Sequence, residues 1–74
     1  MGKENVLLPM VGKIMSVDVA AGDAVDEDQQ VGTFESMKME MPVFSTVAGT
    51  IVEVNVAKGD VAEADQVFCV VETD

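Results

Sequence analysis

Apolar and polar residues alternate with a period of two along much of the chain. Met15, Val17 and Val19 alternate with Ser16 and Asp18, and Val52, Val54 and Val56 alternate with Glu53 and Asn55. That period belongs to half-buried strands, whose side chains point to opposite faces in turn. Ile14 and Ile51 fall on the wrong phase in both stretches, which predicts either a bulge at those positions or a change in the sheet the strand packs against. Helical periodicity is weak everywhere, and "DAVDEDQQV" alone offers a turn of helix.

The two alternating stretches are copies of one another. Displacing the chain by 37 residues aligns "GKIMSVDVAAGDAVDEDQQVGTFE" (12 to 35) with "GTIVEVNVAKGDVAEADQVFCVVE" (49 to 72), with ten of 24 positions identical. "AGD" and "KGD" supply one turn in each copy, "DEDQ" and "EADQ" a second, and a mostly apolar run follows each. Each half therefore makes about four short strands. Two repeats are too few to stack as a solenoid, so the pattern predicts an all-β, pseudo-twofold sandwich or flattened barrel. From Gly22 to Val31 the first copy runs in register with Gly59 to Phe68, leaving no room for an inserted loop. Residues 36 to 48 fall between the copies.

The 74 residues allow one domain, covering 1 to 74. With three Phe and neither Trp nor Tyr, the core must be filled by Val, Ala, Ile, Leu and Met. Valine is the commonest residue, which favours strands. Four Lys against fourteen acidic residues give a net charge of −10. Such a chain repels phosphate backbones and anionic lipid, so neither nucleic acid nor a membrane is an expected partner. No apolar run approaches the roughly 20 residues of a membrane span. "MGKENV" lacks the layout of a signal peptide, Val6 stands where a myristoylation motif wants Ser or Thr, and residues 1 to 5 are short for a linker. A cytoplasmic protein, monomeric in isolation, is expected.

Cys69 is the single cysteine and lies in "VFCVV", the setting of a buried strand residue rather than a ligand or nucleophile. Without His, soft-metal sites have almost nothing to use, and "DAVDED" lacks the central Gly and closing Glu of a calcium loop. Acid/base or nucleophilic catalysis by this chain alone has no evident residue set.

One segment stands apart. In "TFESMKMEM", Met37, Met39 and Met41 surround Lys38, whereas Lys3, Lys13 and Lys58 sit at the N-terminus, near a strand start and in a turn. Alternation alone admits a strand with Lys38 on its solvent face. It equally admits a hairpin tip, with the lysine offered to another protein's active site and flexible methionines adapting to that partner. By the repeat, the segment after Glu35 corresponds to the segment after Glu72, so the Lys38 hairpin is expected at the end opposite the chain termini.

"ESMKME", preceded by "PMVGKI" and followed by "GTIVEVNVAKGD", closely resembles the biotinyl domain of biotin carboxyl carrier proteins and biotin-dependent carboxylases, across essentially the whole chain. The resemblance implies a barrel-sandwich hybrid, a flattened β-barrel of two four-stranded antiparallel sheets. It also implies that Lys38, the lysine of the Met-Lys-Met motif, carries biotin covalently. Ser36 stands where the family more often has Ala, a residue of similar size. That Ser, with "MEMPV" after the lysine, looks like the small stand-alone biotin/lipoyl attachment proteins.

The implied partners are a biotin protein ligase, recognising Met37 and Met39 with Glu35 and Ser36, and the biotin carboxylase and carboxyltransferase domains or subunits of a carboxylase, decarboxylase or transcarboxylase. A primary amine suits this role once deprotonated, because it attacks an activated acyl carbon to form a stable amide. Glu35 and Glu40 flank the tip and suit docking on a basic surface, or serve as ordinary solvated charges. Two alternatives stay open. Lipoyl domains share the fold and modify a hairpin lysine, but typically carry Asp-Lys-Ala there, and some barrel-sandwich modules bind without being modified.

Overall fold

A computed structural model describes residues 2–73. Its strands are β1 (Gly2–Leu7), β2 (Gly12–Val17), β3 (Ala24–Val25), β4 (Gln30–Ser36), β5 (Met39–Phe44), β6 (Gly49–Val54), β7 (Val61–Ala62) and β8 (Val67–Thr73). They form two four-stranded sheets, in the orders β1-β8-β6-β3 and β5-β4-β2-β7, with every pairing antiparallel. This is the expected all-β pseudo-twofold architecture. The "DAVDEDQQV" stretch makes no helix; it forms the short strand β3 and a turn.

The phase error at Ile14 and Ile51 resolves as a bulge in both copies. The register shifts between Ile14 and Ser16 on β2, and between Ile51 and Glu53 on β6. Both isoleucines turn fully inward. Met15 and Val52, which strict alternation would bury with Val17 and Val54, are displaced; Met15 is half-buried and Val52 is 37% exposed. The extra residue in each strand reverses the phase, so the buried side before the bulge carries the isoleucine and the side after it carries the valines.

The repeat is longer than the aligned sequence suggests. On β5 and β4, Met39 pairs with Ser36, Glu40 with Glu35, Met41 with Phe34 and Val43 with Gly32. On β1 and β8 the same ladder recurs 37 positions away, with Gly2 opposite Thr73, Lys3 opposite Glu72, Glu4 opposite Val71 and Val6 opposite Cys69. Residues 39 to 44 are therefore not an insertion between the copies, as the identities imply, but the counterpart of β1. Val6 and Val43 are both buried, and Leu8 and Ser45 are both fully enclosed, so the match lies in burial and hydrogen bonding rather than residue type. Met37 and Lys38 are the two residues that connect the paired ends of β4 and β5, at Ser36 and Met39.

Each half contributes two strands to each sheet, and loops tie the halves together. The Gly22 amide donates to the Ile51 carbonyl (2.7 Å), and the Ile51 amide donates to the Asp23 carbonyl (2.8 Å). The mate is Gly59 to Ile14 (2.8 Å) and Ile14 to Asp60 (2.8 Å). Gly22 and Gly59 hold φ of +100° and +96°, a region that costs a side chain but not glycine. The Asp23 and Asp60 carboxylates close these turns, accepting the amides of Ala20 (2.8 Å) and Ala57 (2.9 Å).

Between the sheets lie Leu8, Ile14, Val31, Phe34, Ile51, Phe68, Cys69 and Val71, all fully buried. Each Phe contributes about 1.5–3 kcal/mol by leaving water. Cys69 is enclosed as expected, and burial pushes its thiol up to about 11. Gly32 departs from the twofold, since its counterpart is Cys69. A Cβ at Gly32 would lie 2.5 Å from the Ser16 carbonyl oxygen and press into the Phe68 ring, so the missing side chain gives that ring its place. Gly32→Ala is expected to lower stability by about 1–3 kcal/mol, as overpacking against backbone does. Urea or thermal unfolding measures it, and a wild-type midpoint would show that the ring has room to move.

Candidate functional site: the Met37–Lys38 tip

Ser36 and Met39 are directly paired, so the β4–β5 hairpin turns on two residues, Met37 and Lys38. Both hold positive φ, 54° and 65°, the sign pattern of a type I′ turn. Such turns match the twist of paired strands but select Asn and Gly, because a Cβ in the left-handed region costs about 1–2 kcal/mol per residue. Two other non-glycine residues share this conformation, Asp28 and Asp65, which are twofold mates in polar turns and belong to a tolerant residue type. Nothing of that kind favours Met and Lys. The hairpin register therefore enforces the strain.

The strand choice at Lys38 is thus decided against a flat ladder residue. Lys38 is exposed at the apex, and Met37 and Met39 are 87% and 65% exposed. Neither methionine belongs to the hydrophobic core. Met41, the third of the group, is half-buried and packs against the core, so the sequence cluster divides into two presented side chains and one structural one. Glu35 is exposed and Ser36 half-buried.

The register also carries the tip and the chain ends to opposite ends of a body 37 Å long and 18 Å across. From the tip, β5 runs away to Phe44 and on to Gly49, where Thr50 pairs with Glu72 near the C-terminus. From its first residues β1 runs the other way, and the chain returns as β2 with Lys13 beside Glu35 at the base of the hairpin.

Two features of the site escape a linear reading. Gly12 lies so close to the Glu35 carbonyl and Phe34 ring that a Cβ would meet them at 2.7 and 2.6 Å, so the start of β2 packs tightly on the base of the hairpin. Met10 and Val11, which precede it in sequence, are partly exposed, at 38% and 49%. Glycine at that position, preceded by "PMV", was the available signal. The other is polar. Glu35 and Glu40 oppose each other across the hairpin, an unfavourable like-charge pair, with Lys13 on the far side of Glu35. Thr33 donates to the Glu40 carboxylate (3.0 Å) and shares a 2.8 Å bond with Ser16, so the Glu40 side chain is held to the face of the sheet.

The architecture and this tip have known relatives. The biotin/lipoyl family, described as "Biotin-requiring enzyme", matches residues 4–71. The chain belongs to this family. It is 41% identical over 45 residues to the biotin/lipoyl attachment protein of Bacillus subtilis (strain 168), covering 61% of this chain and 62% of that protein. It is 49% identical over 39 residues to the methylmalonyl-CoA decarboxylase subunit gamma of Veillonella parvula, covering 53% of this chain and 30% of that one. The matches thus span less than two thirds of these relatives' lengths. Among solved structures, the urea carboxylase of Kluyveromyces lactis superposes with a TM-score of 0.89 at 28% identity, over 97% of this chain and 6% of that one. Family membership makes this domain a non-catalytic carrier of biotin-dependent chemistry.

If the turn is strained as its dihedrals indicate, Met37→Asn should stabilise the domain by about 1 kcal/mol, because Asn tolerates positive φ. Lys38→Ala should change stability by about 0.5 kcal/mol or less, because the side chain is exposed and both residues place a Cβ in the same left-handed conformation, leaving the strain unchanged. Thermal unfolding of the three unmodified proteins tests both. A loss near 2 kcal/mol in Lys38→Ala would mean that the lysine supports the fold.

Proposed function

We propose that this domain carries biotin covalently on Lys38 and serves as the carboxyl carrier of a biotin-dependent carboxylase, decarboxylase or transcarboxylase. The observation that carries the proposal is the two-residue tip, where a lysine and a methionine are kept exposed in a conformation that neither favours. The match to the biotin/lipoyl family supports the class of cofactor.

The residues present fit such a group. An amine at the apex of a narrow hairpin can enter a deep ligase cleft, and the acidic sheets behind it keep clear of the cleft. In the attachment step the deprotonated Nζ of Lys38 attacks the acyl carbon of an activated biotin, forming the C–N bond while the activating group leaves and the amine proton passes to solvent or the ligase. The product is an amide, so Lys38 loses its charge. Once attached, biotin supplies the ureido nitrogen on which a carboxyl group is carried, and the protein supplies delivery. Held near two active sites by its parent assembly, the arm meets each at high effective concentration.

Met37 and Met39 are the recognition elements for the ligase on this reading, because they are large, apolar, exposed and unneeded by the core. Glu35 and Glu40 add negative charge at the base of the tip, suited to a basic rim on the partner.

Co-expression with a biotin ligase and, separately, a lipoate ligase should give a protein one biotinyl group heavier in the first case, with peptide mapping placing it on Lys38. Biotin on Lys13 or Lys58 would sink the assignment, and lipoylation alone would transfer the reading to the lipoyl branch. Changing Met37 to Asp and Met39 to Ala should slow biotinylation by about tenfold or more, the scale of losing exposed apolar anchors from an interface. An unchanged rate would remove the methionines from the recognition role.

A further inference from the structure

We infer that Met37 and Met39 form an oxidation-sensitive site, at which conversion of the thioethers to sulfoxides blocks acylation of Lys38. The inference rests on the attachment reading above and adds a modification site to it.

The sulfur atoms of this chain are unevenly placed. Met37 and Met39 are 87% and 65% exposed, Met10 is 38% exposed, and Met15 and Met41 are half-buried. Among the described residues, the two most accessible thioethers are thus the immediate neighbours of Lys38. Cys69 offers little competition, because it is fully enclosed and burial pushes its thiol up to about 11, leaving almost no thiolate near neutral pH. Among the described residues, an oxidant of the peroxide class therefore meets sulfur first at the tip.

The step balances without any other reactant. A lone pair of the methionine sulfur attacks one peroxide oxygen, the O–O bond breaks, an S–O bond forms and water leaves. Sulfur loses two electrons and hydrogen peroxide gains them. Methionine sulfoxide reductases with a dithiol reverse it, one class of reductase for each sulfoxide epimer.

The consequence follows from where the two side chains sit. Neither packs in the core, so a sulfoxide there leaves the fold intact. A sulfoxide oxygen is a strong acceptor, and enclosing it in an apolar partner surface without a donor is costly. Leucine would give the same apolar collar with no such liability. Two exposed methionines, one of them in a strained turn, thus give this tip a response to peroxide that the same shape in hydrocarbon would lack.

The test uses the unmodified protein. After brief treatment with hydrogen peroxide and removal of the excess by catalase, peptide mapping should find sulfoxide at Met37 and Met39 before Met10, and at Met15 and Met41 last. Thermal unfolding should be unchanged. Acylation by a biotin ligase with biotin and ATP should slow by about tenfold, the scale of an unpaired polar group in an interface. Combined reductases of both epimer classes should restore it. In the Met37→Leu, Met39→Leu variant, peroxide treatment should leave the variant's own rate where it started.

Oxidation that reaches Met41 or Met15 first, an oxidised protein acylated at the untreated rate, or equal slowing in the leucine variant would each overturn the inference. If the untreated protein takes no biotin at all, the attachment reading and the blocking step fall together. The sulfoxide map and the melting curve then still decide whether the tip is the preferred site of oxidation.

Discussion

Everything in this molecule depends on the mutual clasp between the two bulged strands and the glycine turns. In each half the bulge leaves Met15 or Val52 without a ladder partner, and the isoleucine just before it, still in register on one side, exchanges backbone bonds with the other half's loop on its other side, at 2.7 to 2.8 Å. A bulge with unpaired backbone groups buried at its isoleucine would be costly. With the clasp in place it becomes the point where the halves are joined within each sheet. Just before each bulge, Ile14 and Ile51 are fully buried in the core. Because each half lends two strands to each sheet, neither has a sheet of its own to fold on, and the small core forms only when the halves meet.

That arrangement separates the stable part of the molecule from the working part. The twofold assigns a partner to every strand, and Met37 and Lys38 form the turn that closes the end of the β4–β5 ladder. Residues at that turn are outside the clasp and outside the core, so they are free to be chosen for a partner's benefit. The cost is visible in positive φ at Met37 and Lys38, exposed thioethers and opposed glutamates. A rigid ladder beneath, tied further by the Ser16–Thr33–Glu40 bonds, keeps that tip in one place. Presentation of a reactive amine needs both qualities, a firm base and an apex that no packing restrains.

Charge complements this geometry. With fourteen carboxylates to four lysines, the body repels nucleic acid and other acidic surfaces, and attaching an acyl group at Lys38 removes one of the few positive charges. On the carrier reading proposed above, a small acidic body with an apolar, amine-bearing end suits docking on a basic surface of a partner.

How much of this the sequence holds can be judged residue by residue. Alternation in the valine stretches, the 37-residue repeat and the paired phase errors at Ile14 and Ile51 determine an all-β twofold body with two matched irregularities, because side-chain period and burial are local properties of a strand. Met-Lys-Met lies outside the aligned identities and singles out the candidate site, although its own alternation also admits a strand. The sequence does not reveal that β5 is the mate of β1, since Leu8 and Ser45 or Val6 and Val43 share burial and backbone bonding more than identity. It also left Lys38 divided between strand and turn. Only the tertiary pairing of Ser36 with Met39 decides that, by forcing two residues to reverse the chain whatever their preference. The close approach of Gly12 to Phe34 and Glu35 and the hold of Thr33 on Glu40 are likewise settled by register between strands. Such contacts are properties of the folded ladder, and no stretch of the chain encodes them alone.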